Sequence, residues 1–369
     1  MTTQPYIRAI GTAVPPHRIS QQDHYTILEK ANHMSREDQL VLKKIYSKSG
    51  IEHRYSVLSE FGGSDRAANE LFHPSGDYPA TPVSKRMQLY EQYALGLCRQ
   101  AATQCFDSAQ LPASAITHVI TFSCTGMYAP GLDIQLVEEM GLKKNVERTC
   151  INFMGCYAAI NALKYAYHIV RSRPESNVLL VGVELCSLHY RKSNEANQVV
   201  ANALFGDGAA AAIVSAKEGS SQHGLRLEQF YSEFEQASGN EMVWRIGDSG
   251  FDLLLTPEVP RVVKDNIAAL IEKLFLQTGI TQEQIDFYAI HPGGMKILEA
   301  CEQALHLSKQ QNEISYGVLR DFGNMSSVTI LFVLKKYLAM LSGTDTGKKI
   351  LCCAFGPGIT VESMILEVI

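Results

Sequence analysis

The sequence predicts an α/β protein with a duplicated core, and three observations carry that expectation. Short, apolar-rich runs occur at 116–124 (ITHVITFSC), 148–153 (RTCINF), 177–185 (NVLLVGVEL) and 209–216 (AAAAIVSA). Strands buried on both faces read this way. Segments with helix-period apolar spacing alternate with them, which implies helices layered on largely covered sheets. Finally, the second half echoes the first. The strand-and-glycine-loop ITHVITFSCTG returns as IDFYAIHPGG at an offset of 291 − 123 = 168, and VLLVGVEL returns as ILCCAFGP at 350 − 178 = 172.

Taken in order, the first 110 residues read as helical and charged, through HYTILEKANHM, REDQLVLKKIYSKSG and SKRMQLYEQYALGLCRQAATQCFDSA. The strands above follow. The glycine loop of each echo leads into an amphipathic helix, LDIQLVEEMGL or MKILEACEQALHL. Residues 221–250 are polar and contain glycine, the composition of a connection between halves. The division expected is residues 1–226 and 227–369.

The chain has 369 residues, 46% hydrophobic and 19% charged, with a net charge of −5. That balance argues against a nucleic-acid binder, which carries a basic face. The opening MTTQPYIRAIGTAVPP has neither the basic start nor the apolar core of a signal peptide, and no run reaches membrane-span length. Nine cysteines, an odd number without CxxC spacing, argue against a patterned zinc site. A reduced, cytoplasmic protein with free thiols is expected.

One cysteine stands apart. In TCINFMGCYAAINALKYAYHIV, Cys156 follows Gly155 at the start of a helix pattern that is apolar except for a stripe of Asn161, Lys164, His168 and Arg171. A helix with that pattern is mostly buried. Unpaired N–H groups and the macrodipole at its start favour a thiolate, so Cys156 is expected in the first turn with a depressed pKa. An inert core thiol is the competing reading, because free cysteine is among the most buried residue types. His291 ends a strand before a Pro-Gly-Gly loop, where α/β sites gather. Asn324 precedes an apolar helix, either as an N-cap or as a site residue.

Together FMGCYAA, HPGG, FGNMSS and FGPGITVE, with ALFGDGAAAAIV and APGLDIQL, resemble the chalcone synthase-like (type III polyketide synthase) family, in order and in spacing: 291 − 156 = 135 and 324 − 291 = 33. The resemblance spans essentially the whole chain. It implies the thiolase fold, with two similar halves in α-β-α-β-α layers, and a homodimer. The first half would carry the cysteine and the second the histidine and asparagine. It also implies a Cys156-His291-Asn324 site that loads an acyl-CoA starter, decarboxylates malonyl-CoA and condenses the two iteratively. Coenzyme A thioesters are then substrates, and no cofactor or metal is implied.

By the same resemblance, Phe205 matches the gatekeeper between the coenzyme A tunnel and an inner cavity. A second gatekeeper falls on Leu253, a usually small position on Trp244, a threonine on Cys124, and the methionine that reaches across the dimer on Ala129. Ser326 is kept. Phe355, Gly356, Pro357 and Gly358 are expected to shape the cavity. Lys44, Lys48 and Arg54 are expected to bind coenzyme A, and a third basic tunnel position falls on Val41. MVWRIGDSGF and SCTGMYAPGLD look like bacterial members, which often make pyrones, resorcinols or polyhydroxylated rings. Two other readings are a single-round condensing enzyme of fatty-acid priming and a non-catalytic acyl-CoA binder.

Overall fold

The computed structural model describes residues 3–31, 35–61, 71, 81–191, 195–216, 224–234 and 241–369. The elements in chain order are β1 (Tyr6–Ala13), β2 (His17–Ser20), α1 (Gln21–Ala31), α2 (Arg36–Ser47), β3 (His53–Ser56), α3 (Val83–Ala109), β4 (His118–Ser123), α4 (Leu132–Glu139), β5 (Glu147–Asn152), α5 (Ala158–Ser172), β6 (Asn177–Leu185) and α6 (Ala196–Leu204). They continue with β7 (Asp207–Ser215), β8 (Leu225–Phe234), β9 (Met242–Gly247), β10 (Gly250–Leu255), α7 (Val259–Thr278), β11 (Phe287–Ile290), α8 (Met295–Leu305), α9 (Glu313–Phe322), α10 (Thr329–Met340), β12 (Lys349–Gly356) and β13 (Thr360–Val368).

Nine strands hydrogen-bond in the order β11-β12-β13-β8-β1-β7-β6-β4-β5. The order contains a repeat. β4 runs parallel to β6, and β6, β7 and β1 then pair antiparallel in turn. β11, β12, β13 and β8 repeat that pattern. The two echoes seen in the sequence, β4 with β11 and β6 with β12, are therefore topological equivalents. The two sets meet at β1 and β8 through only two residue pairs, Tyr6 with Arg226 and Ile7 with Leu225.

Strand alternation divides the core into layers. Leu179, Val181 and Val183 of β6 pack with α3, whereas Val178 and Leu180 face α5 and α10. On β12, Ile350, Cys352 and Ala354 join that same central layer, while Leu351, Cys353 and Phe355 pack with α7 and α8. The result is helix, sheet, helix, sheet, helix, the layering of the thiolase fold.

Four local expectations change. β5 is not covered on both faces: it is an edge strand, and Glu147, Arg148, Thr149 and Cys150 are exposed. The first 110 residues are not purely helical, because β1 runs through the middle of the sheet. The stretch 221–250 contributes β8 and β9 among its described residues rather than only a connection. The central helix begins at Ala158 with Tyr157 as its N-cap, which leaves Cys156 one residue ahead of the cap.

Candidate active site

Cys156 sits in the turn from β5 to α5, and the turn needs its glycine. Gly155 takes φ +96, and a Cβ there would lie 2.2 Å from Pro357 Cδ. A Cβ on Gly356 would reach the Tyr157 ring at 2.5 Å. The 355–358 loop is thus packed hard against the residues on either side of the cysteine. Ser326, itself at φ +48, places its hydroxyl 3.6 Å from the Cys156 sulfur.

His291 ends β11, where its backbone N–H donates to the Cys353 carbonyl at 2.8 Å. Its side chain is buried, and neither ring nitrogen has a partner among the described residues. Buried polar atoms are normally satisfied, so an orphaned imidazole lining a cavity points to a group that arrives with substrate. Asn324 is not an N-cap, because a 3-10 turn (Ser326–Val328) separates it from α10. Instead it bridges to Phe205: its N–H donates to Leu204 O at 2.9 Å, and its carbonyl accepts from Gly206 N at 3.0 Å. The Asn324 amide is locked at both ends. Nδ2 donates to Gly293 O at 3.2 Å, and Oδ1 accepts from Ser326 N at 2.8 Å. Oδ1 is thereby fixed as the acceptor end, and Nδ2 keeps a second hydrogen to offer a ligand.

These three residues line one cavity of about 520 Å³. Burial pushes the Cys156 thiol up to about 12, opposed by hydrogen bonds from Ser326 and Asn324 and reinforced by the Glu184 carboxylate. Burial alone pushes the His291 imidazole down to about 3. Both shifts favour the uncharged forms, opposite in direction to the depressed thiol pKa expected from the sequence. Desolvation outweighs the donors that reach the sulfur.

The other expected residues sort clearly. Phe205, Leu253, Trp244, Cys124, Ser326, Phe355 and Pro357 line the cavity. Leu253 and Trp244 are direct cross-strand partners on β10 and β9. Gly356 and Gly358 shape the loop without lining the cavity, and Ala129 is exposed and does not line it within this chain. Lys44 and Lys48 are exposed at the mouth. Arg54 does not match its expected role. It is buried, and Nη1 donates to the Asn202 and Phe205 carbonyls at 2.6 and 2.7 Å. β3 alternation turns it inward, so Nη1 holds the Phe205 backbone while the residue borders the cavity.

Three further residues escape the sequence. Glu184 is fully buried and accepts from Cys124 N, Thr125 Oγ1 and Ser327 Oγ, tying β6 to both site loops. His189 stacks on Phe251 at 4.1 Å and donates Nε2–H to Thr125 O at 2.6 Å, since Nδ1 already accepts from Phe251 N. With the Trp244 Nε1–H donated to Cys124 O at 2.7 Å, this anchors the β9–β10 hairpin over the cavity. Lys296, in the first turn of α8, is the third exposed lysine at the mouth. Glu184 and His189 carry no motif, but Lys296 lies five residues beyond His291 and was open to inspection.

A thiol, an imidazole and a carboxamide from separate segments, gathered in one buried cavity of a layered, duplicated α/β fold, define a condensing enzyme of the thiolase type. Family models bear on the whole chain: the N-terminal domain of chalcone and stilbene synthases matches residues 2–218 and the C-terminal domain residues 227–369. An "Alpha-pyrone synthesis polyketide synthase-like Pks18" of Mycobacterium tuberculosis is 31% identical, covering 100% of this chain and 92% of that one. PKS-I of the brown alga Ectocarpus siliculosus superposes with a TM-score of 0.93 at 29% identity, over 100% of this chain and 99% of that one. The 1,3,6,8-tetrahydroxynaphthalene synthase of Streptomyces coelicolor A3(2), a bacterial type III polyketide synthase, gives 0.87 at 27% identity, with 100% and 99% covered. The chain belongs to the chalcone and stilbene synthase family. It is a type III polyketide synthase, an enzyme of the acyltransferase kind.

Proposed function

We propose that this synthase takes an acyl-CoA starter onto Cys156, extends it iteratively with malonyl-CoA, and releases a cyclised pyrone, resorcinol or other polyhydroxylated ring. One observation carries the reading. The cavity that holds Cys156, His291 and Asn324 is lined by no aspartate or glutamate among the described residues, yet its mouth carries Lys44, Lys48 and Lys296, in a chain whose net charge is −5. A tail of phosphates at the mouth and a thioester at the buried end fit that arrangement.

In this mechanism the neutral pair reacts in concert. Cys156 Sγ attacks the acyl carbonyl as its proton passes to His291. The imidazolium then protonates the departing coenzyme A thiolate, leaving an acyl-cysteine; covalent capture divides one hard step into two. Malonyl-CoA next loses carbon dioxide, and the electron pair collects on its thioester oxygen. His291 and the free N–H of Asn324 donate to that oxygen; one such donor is worth roughly 3–4 kcal/mol. The enolate carbon attacks the acyl-cysteine and expels the Cys156 sulfur, and the lengthened chain is again a coenzyme A thioester. Phe205 and the anchored hairpin keep water from the enolate.

A homodimer is part of the proposal, supported by β5, an edge strand with unpaired backbone groups on one side. A cytoplasmic site of action is supported by nine free thiols. We also read the chain as two halves, 1–226 bearing Cys156 and 227–369 bearing His291 and Asn324. Acyl-CoA and malonyl-CoA, without any acyl carrier protein, test the function. Product mass spectrometry should show multiply extended rings with the wild type, and Cys156→Ala should abolish them while some decarboxylation of malonyl-CoA persists. A requirement for carrier protein, or full condensation by Cys156→Ala, overturns the reading.

A further inference from the structure

We infer that Lys296 is a coenzyme A phosphate ligand that completes a three-lysine collar with Lys44 and Lys48. The inference rests on the synthase reading above and extends it to a residue of another segment lining the same cavity. Three observations lead there. Of two further positions where a cation is expected, Val41 carries no charge and Arg54, although it borders the cavity, is buried. Val41 is apolar and 44% exposed, and Arg54 is turned into the protein by its carbonyl partners. The α2 side therefore offers two exposed cations, Lys44 and Lys48, where four were expected.

The α8 wall supplies a third. Lys296 is exposed and lines the same cavity as Lys44 and Lys48. The two walls touch at this level: a Cβ on Gly50, just beyond α2, would meet Met295 Cε at 2.2 Å. Lys48 and Lys296 thus stand on adjoining segments. Among the described residues none of the three lysines is paired with a carboxylate, although fourteen Lys or Arg ion pairs form elsewhere among them. Their charges are left for a ligand.

The position of Lys296 also opposes local preference. It is the second residue of α8, after Gly294 as N-cap, and the first turn holds no acidic residue. A cation at a helix start works against the macrodipole. A residue that breaks a local rule without a compensating contact is expected at a functional site. Coenzyme A has a diphosphate and a 3′-phosphate, so a collar of three separate point charges on two walls suits it better than one cluster on one helix. Lysine suits the role as a flexible point charge.

The test compares KM values for an acyl-CoA and for the same acyl group on pantetheine, which has no nucleotide phosphates. Lys296→Ala should raise KM for the acyl-CoA roughly three- to tenfold, the scale of one exposed ion pair or slightly more, with kcat within twofold. KM for the acyl-pantetheine should not change, and Lys296→Arg should restore the acyl-CoA value. Lys43→Ala removes an equal charge from the exposed face of α2, outside the cavity lining, and should leave both KM values as they are. The inference is overturned if Lys296→Ala leaves the acyl-CoA KM unchanged, raises both KM values alike, or does no more than Lys43→Ala. A wild-type chain that turns over neither thioester overturns the synthase reading itself.

Discussion

Gly155→Ala tests how the cysteine is held. Gly155 takes φ +96, a region that costs a residue with a Cβ roughly 1–3 kcal/mol. The new methyl would also lie 2.2 Å from Pro357 Cδ. Proline has no rotamer to swing away, and its loop is pinned between β12 and β13, so relief requires backbone movement at about 1–3 kcal/mol. Against this, alanine stiffens the unfolded chain and returns about 0.4–1 kcal/mol. The net loss is about 1–5 kcal/mol, read as a lower urea midpoint at constant m. Because the strain falls beside Cys156 and on the loop that lines its cavity, turnover should drop more than the folded fraction does. Stability within about 0.5 kcal/mol of wild type, the range of an ordinary surface substitution, together with normal turnover would refute the packing argument.

Further outcomes follow from the same contacts. His291 is held near 3 by burial, against 6.5 for a free imidazole, so the unfolded chain binds more protons than the folded one between those values. Its contribution is complete above pH 6.5 and is lost as pH falls toward 3. His291→Gln should therefore flatten the loss of stability between pH 6.5 and pH 5 by about 2 kcal/mol, seen in urea unfolding at the two pH values. Asp207, raised to about 6 by burial, acts in the opposite direction in both proteins and cancels in the comparison. Arg54→Met should cost about 2 kcal/mol, because the Asn202 and Phe205 carbonyls each lose a charge-assisted bond while one desolvated cation disappears. It should change KM for acyl-CoA and acyl-pantetheine by the same factor, whereas a phosphate ligand would affect only the first.

The sequence was most legible where one short segment carries the whole signal. β4, β6 and β7 are buried on both faces and read as apolar-rich runs, and both echoes between the halves fall on equivalent strands. Cys156, His291 and Asn324 lie in compact glycine-bearing motifs, and their meeting in one cavity needed only the motif order. Errors arose where a neighbour decides the outcome. RTCINF looks like β6 but ends the sheet, because nothing in its own letters says that no strand follows. YIRAIGTA, with Arg8 and Gly11, hides a central strand. Arg54 sits in a basic stretch, and only the β3 alternation reveals that it faces inward. The Cys156 pKa depends on the depth of its cavity, which composition does not record. Lys296 was visible beside HPGG but gains meaning only once α2 and α8 are seen to share a mouth.

The central claim is that Cys156, neutral at rest, becomes the acyl carrier. Peptide mass spectrometry of acid-quenched protein after incubation with an acyl-CoA alone measures this most directly. The account predicts one acyl group per chain, on Cys156 and on none of the other eight cysteines, with far less on His291→Ala. Steady turnover with an unmodified Cys156, or an acyl group carried on Cys124 or Cys186, would contradict it.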